Sequence, residues 1–368
     1  MVRLDIVRSA NAALANSATK PFVAVVAGGT SGIGESAVRA LAATFADRGG
    51  RENDVLHVHI VGRNEEAGRR IVTECSEVCP QGIFRFHKGD VSLLREVDRI
   101  CAEITRAEQE KANTKDMTAK IDFLVNCQGV LSLTSEDTEE GLDRYNSLLY
   151  YSRARFIERL LPLLTASPRA GHVVSVLNAS IKEGLVLDDL ALRDQKSQKI
   201  QTAFSHLVSL TNIFFEEIAR RNPGRIALCH QHPGYVPTDI AAKSNLPWWL
   251  KVLITYVVNP LFRPWWVPFE ECGQRIVFMA SPARFPARKP DNTQGSTEAP
   301  FGSVEGIEPA EGIDGKVGSG AYRVNKDGET FPKGKEYDKV RENGAAEKAY
   351  QHTLTVFAEI EAGRVFKD

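Results

Sequence analysis

The run Ala27-Gly28-Gly29-Thr30-Ser31-Gly32-Ile33-Gly34 constrains this chain more than any other segment. It follows a short apolar stretch, Phe22 to Val26, and opens a helical pattern through Ala37, Val38, Leu41 and Phe45. Strand, glycine turn and helix in that order make a nucleotide cradle. Gly28 permits the tight turn. Gly32 removes a side chain where a pyrophosphate must meet the backbone. Gly34 lets the helix pack close to the strand. The free N–H groups and partial positive charge of the helix start then face the phosphates.

Beyond the cradle, apolar β-branched runs recur at 55–61, 83–87, 121–126, 172–177 and 225–229. Helical periodicity fills the gaps at 65–79, 93–111, 142–164 and 203–221. Such alternation specifies an α/β chain with a doubly wound parallel sheet and helices on both faces. Ligands in such sheets sit at the carboxyl ends of the strands. Residues 1–20 predict a short leading helix and 21–284 the main domain. Residues 285–315, rich in Pro, Gly, Glu and Ser, predict a long flexible surface loop, and 316–368 a last strand and helix.

Charges on the 368 residues balance to −1, which gives nucleic acid no basic surface to bind. The six cysteines form no Cys-x-x-Cys pair. Cys75 and Cys79 stand one helical turn apart without a His or Cys cluster beside them, so no metal site is implied. Reduced thiols in a cytoplasmic protein are expected, and the first 20 residues lack the apolar core of a signal peptide.

Segment 246–269 breaks the pattern. It holds all four tryptophans, Trp248, Trp249, Trp265 and Trp266, among Leu, Val and Ile, punctuated by four prolines. Its uninterrupted apolar run is too short to span a bilayer. Three readings are open: an apolar lid over a greasy substrate, a dimer surface or core, and a peripheral membrane contact with tryptophans at the headgroups.

At this point the residues resemble the short-chain dehydrogenase/reductase family, whose Rossmann-type fold the alternation matches over about residues 20–282. Residues 27–34 are similar to its glycine motif, with Ala27 for Thr. Gly89-Asp90-Val91-Ser92 resembles its adenine-binding segment. Asn126-Cys127-Gln128-Gly129 stands where the family has Asn-Asn-Ala-Gly. His232-Pro233-Gly234-Tyr235-Val236-Pro237-Thr238 resembles its Pro-Gly-x-Val-x-Thr. The resemblance implies a nicotinamide dinucleotide held by Gly28, Thr30, Ser31, Gly32, Ile33, Gly34, Arg63, Asn64, Asp90, Val91, Asn126, Gly129, Pro233, Gly234 and Thr238. The downstream loop and closing helix are similar to large filamentous-fungal members of secondary metabolism, which act on lipophilic small molecules. The segment after the second strand reads Gly62-Arg63-Asn64, with no acid for a ribose 2′-OH and a guanidinium suited to a 2′-phosphate, so NADP(H) is expected.

The family's proton-transfer residues do not carry over. Its Tyr and Lys positions fall on Phe204 and Val208, its Ser on Asn178 with Ser180 two residues on, and its Asn on Leu149 with Asn146 one turn earlier. Tyr322 and Lys326 form the chain's only Tyr-x-x-x-Lys, far downstream. His206 lies two residues past Phe204, about 200° round the helix. Asn178 can donate a hydrogen bond to a carbonyl and is the candidate catalytic residue. Tyr150, Tyr151, Arg153, Lys182 and Glu183 lie near the expected pocket, with packing or solvation as their plainer roles. Three functions stay open: a reductase with unorthodox proton delivery, a non-redox cyclase, isomerase or pericyclic catalyst, and a nucleotide-binding partner protein. A homodimer through 142–164 and 203–221 is the expected assembly.

Overall fold

The computed structural model describes residues 1–17, 21–46, 54–130, 135–194, 199–244, 246–290 and 304–367. The chain runs α1 (Leu4–Ser17), β1 (Phe22–Ala27), α2 (Gly32–Ala46), β2 (Leu56–Gly62), α3 (Glu65–Val78), β3 (Gly82–Lys88), α4 (Leu94–Thr114) and β4 (Phe123–Asn126). A short α5 (Arg144–Asn146), a π turn (Ser147–Tyr151) and α6 (Ser152–Thr165) lead to β5 (Gly171–Val176), α7 (Ile200–Arg221) and β6 (Ile226–Gln231). Then come α8 (Ile240–Lys243), α9 (Trp248–Leu253), a π turn (Ile254–Val258), α10 (Asn259–Phe262) and a 3₁₀ turn (Arg263–Trp265). Last are α11 (Phe269–Phe278), β7 (Ala321–Val324), α12 (Tyr337–Arg341) and α13 (Ala345–Glu361).

The strands form one parallel sheet in the order β3-β2-β1-β4-β5-β6-β7. Every residue of β1, β2, β4, β5, β6 and β7 is buried, as a sheet covered on both faces requires. Two apolar clusters flank it. One draws Val97 and Ile100 of α4, Leu160 of α6, Phe214 of α7 and Val356 of α13. The other draws Val7 of α1, Leu41 of α2, Ile71 of α3 and Ile276 of α11. The strand order reverses between β1 and β4, and that switch point opens the crevice in such sheets.

Departures from the sequence pattern have local causes. The expected helix over 142–164 is interrupted by the π turn Ser147–Tyr151, a device frequent at functional sites. The last strand shortens to Ala321–Val324 because Gly318 and Gly320 turn the preceding residues with φ of 72° and 85°. Of the expected surface loop, residues 291–303 lie outside the described residues. Its flanks are anchored: Phe285 is fully buried, 5.8 Å from the Phe278 ring and 5.4 Å from Tyr322, and Ala310 and Ile313 are buried too. Tyr322 is itself buried and its hydroxyl donates to the Pro286 carbonyl at 2.5 Å, so its pairing with Lys326 has no access to chemistry.

Helix α13 lies on the face of α6 and α7. The Tyr150 hydroxyl meets Thr353 Oγ1 at 2.6 Å and the Tyr151 hydroxyl meets His352 Nε2 at 2.9 Å. Phe214 stacks on Tyr350 at 5.8 Å, and Arg155 reaches Glu361 at 3.3 Å. The surface expected to join two copies is therefore covered by the chain's own terminal helix. Tyr150 and Tyr151 fasten that helix, which gives them the packing role. Phe357 is buried beneath the Arg155 guanidinium, 5.0 Å from its ring centroid. Replacing Phe357 with Ala should lower stability by about 3–4 kcal/mol, read as a shift in the denaturant midpoint. An unchanged midpoint would mean that α13 is not part of the cooperative fold.

Candidate active site

At the switch point the first turn is drawn tight. Gly28 and Gly29 both donate to the Val61 carbonyl at 3.0 Å, and Gly28 adopts φ 78°. A Cβ on Gly28 would stand 2.6 Å from the Gln128 nitrogen, and one on Gly34 would stand 2.2 Å from the Gly28 oxygen. Neither position can hold a side chain, so β1, β4 and the start of α2 close together and leave an open cleft above them. With the open solvent at its mouth included, the cleft spans about 950 Å³.

Ten of the fifteen residues expected at the dinucleotide line this cleft: Gly28, Thr30, Ser31, Gly32, Ile33, Arg63, Asp90, Val91, Gly129 and Thr238. The other five are placed elsewhere. Gly34 is packing against Gly28. Asn64 caps α3 by accepting from the Ala67 amide at 3.0 Å. Asn126 is wholly buried under the cleft floor. Pro233 and Gly234 precede the wall, and Gly234 abuts Lys326. Gly62, Gly89, Cys127, Gln128, Leu148 and Ser244 join the lining without having been singled out. They follow from position alone, since each lies just beyond a strand or on an element facing the crevice.

Electrostatics divide the cleft. Arg63 is exposed at its rim, and no acid follows β2 before Glu65, which is turned away to Lys88 and Arg69. Burial works upward on Asp90, but Ser92 hydrogen bonds and the guanidinia of Arg63 and Arg144 carry its carboxyl below the ordinary value. Arg144 holds it at 2.9 Å. At the other end a second guanidinium is buried. Arg153 donates to the Leu148 carbonyl at 3.1 Å, to Ser175 Oγ and the Val176 carbonyl at 2.8 Å, and to the Gln128 carbonyl. Among the described residues it meets no carboxylate, and burial lowers its pKa to about 10.

The model for short chain dehydrogenase matches residues 22–185. Short-chain dehydrogenase/reductase SAT2 of Stachybotrys chartarum is 34% identical over 98% of both chains. Oxidoreductase AN1596 of Emericella nidulans is 35% identical over 96% of this chain and 97% of that one. The chain belongs to the short-chain dehydrogenase/reductase family. The solved L-sorbose reductase of Gluconobacter frateurii, 17% identical, shares the fold at a TM-score of 0.50 over 84% of this chain and 97% of its own.

In this dehydrogenase/reductase fold the positions expected to hold the family's Tyr and Lys are apolar and lie on α7. Val208 is fully buried, and Phe204 sits half-buried with its ring edge-on to Tyr145, centroids 5.9 Å apart. Sequence reasoning passed over Tyr145. It lies four residues before Leu149, so a helical repeat would have put it on the same face. Its hydroxyl has no hydrogen-bond partner among the described residues. Burial pushes the phenol pKa up, while the Arg153 charge opposes that. Asn178 Oδ1 accepts from the Ser180 amide at 3.2 Å and from Ser180 Oγ, which fixes the side chain and leaves the Nδ2 donors available. The loop is held from behind by Arg323, which donates to the Ala179 carbonyl at 2.6 Å. Glu183 is buried against Asn212 at 2.8 Å and Arg341 at 3.1 Å, a structural assignment. Lys182 pairs with Glu336 at 3.0 Å on the surface.

His206 is structural. Its Nδ1 accepts from the Val186 amide at 3.0 Å and its Nε2 faces the Leu190 carbonyl at 3.1 Å. Burial lowers its pKa from 6.5 to about 4, against the pull of that carbonyl. The folded state keeps the ring neutral, so its stabilising effect is full above pH 6.5 and fades as pH falls toward 4. The span corresponds to about 3 kcal/mol. The stability gap between the native protein and the His206→Gln variant should therefore narrow between pH 7 and pH 4 in denaturant titrations. A constant gap would show that protonation of His206 is not coupled to folding.

Proposed function

We propose that the chain is an NADP(H)-dependent oxidoreductase that reduces a carbonyl, or oxidises the matching alcohol, on a lipophilic small molecule. The observation that carries the reading is the cleft at the β1/β4 switch point: two positions that exclude any side chain, an α-helix start behind them, and Arg63 at the rim with no acid at the end of β2. Thr30 and Ser31 would face the phosphates, Arg63 the 2′-phosphate, Asp90 the adenine, and Thr238 the carboxamide end. A bound nicotinamide would supply the hydride. The NADPH complex of L-sorbose reductase, on the same fold, supports the cofactor reading.

The chain's own residues then have one remaining task, proton delivery to the substrate oxygen. The Tyr145 hydroxyl is the proton donor in this reading, next to the place where the family's Tyr is replaced by Phe204. Asn178 Nδ2 polarises the substrate carbonyl. Arg153, buried behind the ends of β4 and β5, stabilises the phenolate left behind. Kinship with Stachybotrys and Emericella oxidoreductases over nearly the full length supports a role in fungal secondary metabolism. The cytoplasm is the compartment that keeps six unpaired thiols reduced.

Three measurements test this. Incubated with NADPH and a panel of lipophilic ketones, the protein should consume the nicotinamide absorbance and form alcohol. Product without NADPH consumption would mean non-redox chemistry, and tight NADPH binding with no turnover would mean a partner-binding role. Tyr145→Phe should lower kcat about a hundredfold or more while leaving the NADPH Kd unchanged. Equal loss of both would assign Tyr145 to packing. Arg63→Ala should cut the preference for NADPH over NADH by about 10- to 100-fold. An unchanged preference would remove Arg63 from the 2′-phosphate.

A further inference from the structure

Between α8 and α11 the chain builds an arm whose amphipathicity is inverted. The helical pieces from Trp248 to Trp265 join without a break, each junction residue keeping right-handed helical geometry except the last, Phe262, at ψ 0°. Eighteen residues at helical rise make a rod about 25 Å long. No residue of α9, α10 or the turns between and after them is buried. Trp248, Val252 and Tyr256 form one exposed row four residues apart. Trp249, Leu253 and Val257 form the row beside it. Leu261, Phe262 and Trp265 continue the surface. The apolar stripe of an ordinary surface helix faces the core, whereas this one faces water. Trp248 and Tyr256 are 77% and 74% exposed.

The arm is fixed in that attitude. Leu246 and Val267 are buried at its two roots. The Tyr235 hydroxyl donates to Asn259 Oδ1 at 2.5 Å, its ring stacks on Phe262 at 5.5 Å, and its carbonyl accepts from the Val267 amide at 2.9 Å. Exposure is thus built into the fold. No residue of 246–269 lines the dinucleotide cleft, while Ile240 and Ser244, just before the arm, do.

We infer that this arm seats the protein on the surface of an anionic phospholipid bilayer. The charge on the arm selects that occupant. From 240 to 269 the chain has no Asp or Glu, but it has Lys243, Lys251 and Arg263, on a chain whose net charge is −1. Neither Lys251 nor Arg263 pairs with a carboxylate among the described residues. Lys251 donates to the Ala242 carbonyl at 3.1 Å. Cations beside an apolar stripe complement acidic headgroups. Two copies of one all-cationic arm would instead bring like charges together. Trp and Tyr, apolar bodies with a polar tip, are the side chains that settle at headgroup depth. Among the described residues no helix is long and apolar enough to cross a membrane, so the arm lies in the plane of the interface. Its root adjoins the cleft wall, and a lipophilic substrate would reach the site from the bilayer without crossing water.

Trp248, Trp249 and Trp265 lie on the arm and Trp266 at its root, so the protein's tryptophan fluorescence reports on this region. The full chain is mixed with vesicles of phosphatidylcholine, with and without phosphatidylglycerol. With the anionic vesicles the emission should shift to the blue, brominated acyl chains should quench it, and the protein should sediment with the lipid, less so at high salt. The K251E/R263E double variant should bind these vesicles about tenfold more weakly or worse, with NADPH affinity intact. Absence of the shift and of sedimentation would overturn the inference. So would emission already blue in dilute buffer with a dimeric mass, which would make the arm a contact between copies. A shift given by a lipophilic ketone but not by vesicles would make it a substrate cover and would overturn it too. None of these readouts depends on turnover, so failure of the reductase reading leaves the test standing.

Discussion

The Arg153 guanidinium ties the π turn to the carboxyl ends of β4 and β5, two strands already paired in the sheet. One nitrogen holds the π turn through Leu148, another holds the end of β4 through Gln128, and the third holds the end of β5 through Ser175 and Val176. A buried charge without a counter-ion is costly unless its donors are satisfied, and here neutral oxygens satisfy them. The arrangement fixes the spacing of β4 and β5 at their carboxyl ends, where the cleft floor must be rigid. Among the described residues no carboxylate pairs with the guanidinium, and its charge acts on the Tyr145 phenol.

The terminal extension ties down the loop that follows Asn178. Glu183, on the loop after Asn178, is buried among Asn212 of α7, Arg341 of α12 and, through Asn212, His230 of β6. Arg341 also bonds Glu216, whose other oxygen accepts from the Tyr337 hydroxyl at 2.6 Å. Acid, amide and guanidinium satisfy one another, so the loop is tied down by residues more than a hundred positions downstream. The glycine cradle and the loop are therefore rigid for different reasons, the first through close backbone contact and the second through a polar network.

The parallel sheet and the cleft at its strand ends were legible in the sequence because local signals set them. Buried strands are written as β-branched runs and the cradle as glycines at fixed spacing. The π turn was not legible, since Leu142 to Leu164 keeps helical periodicity through it. The contact of Tyr145 with Phe204 was not legible, because Phe204 lies on α7 whereas the tyrosine that meets it comes from α5, 59 residues earlier in the chain. His206 was legible as a candidate, but only the backbone of 186–190 around it shows why it is structural. Asn64 and Gly34 show a related limit. A motif marks the residues that build a site together with those that touch the ligand, and spacing cannot separate the two.

Helix α13 has a consequence of another kind. Where two subunits bury a face against each other, that burial depends on concentration, and dilution weakens it. Here the partner for α6 and α7 is covalently attached, so the same apolar area is removed from water at any dilution. The burial carries no association entropy cost. The face is also closed to exchange, because no second chain can compete for it without first displacing Tyr350, Val356 and Phe357.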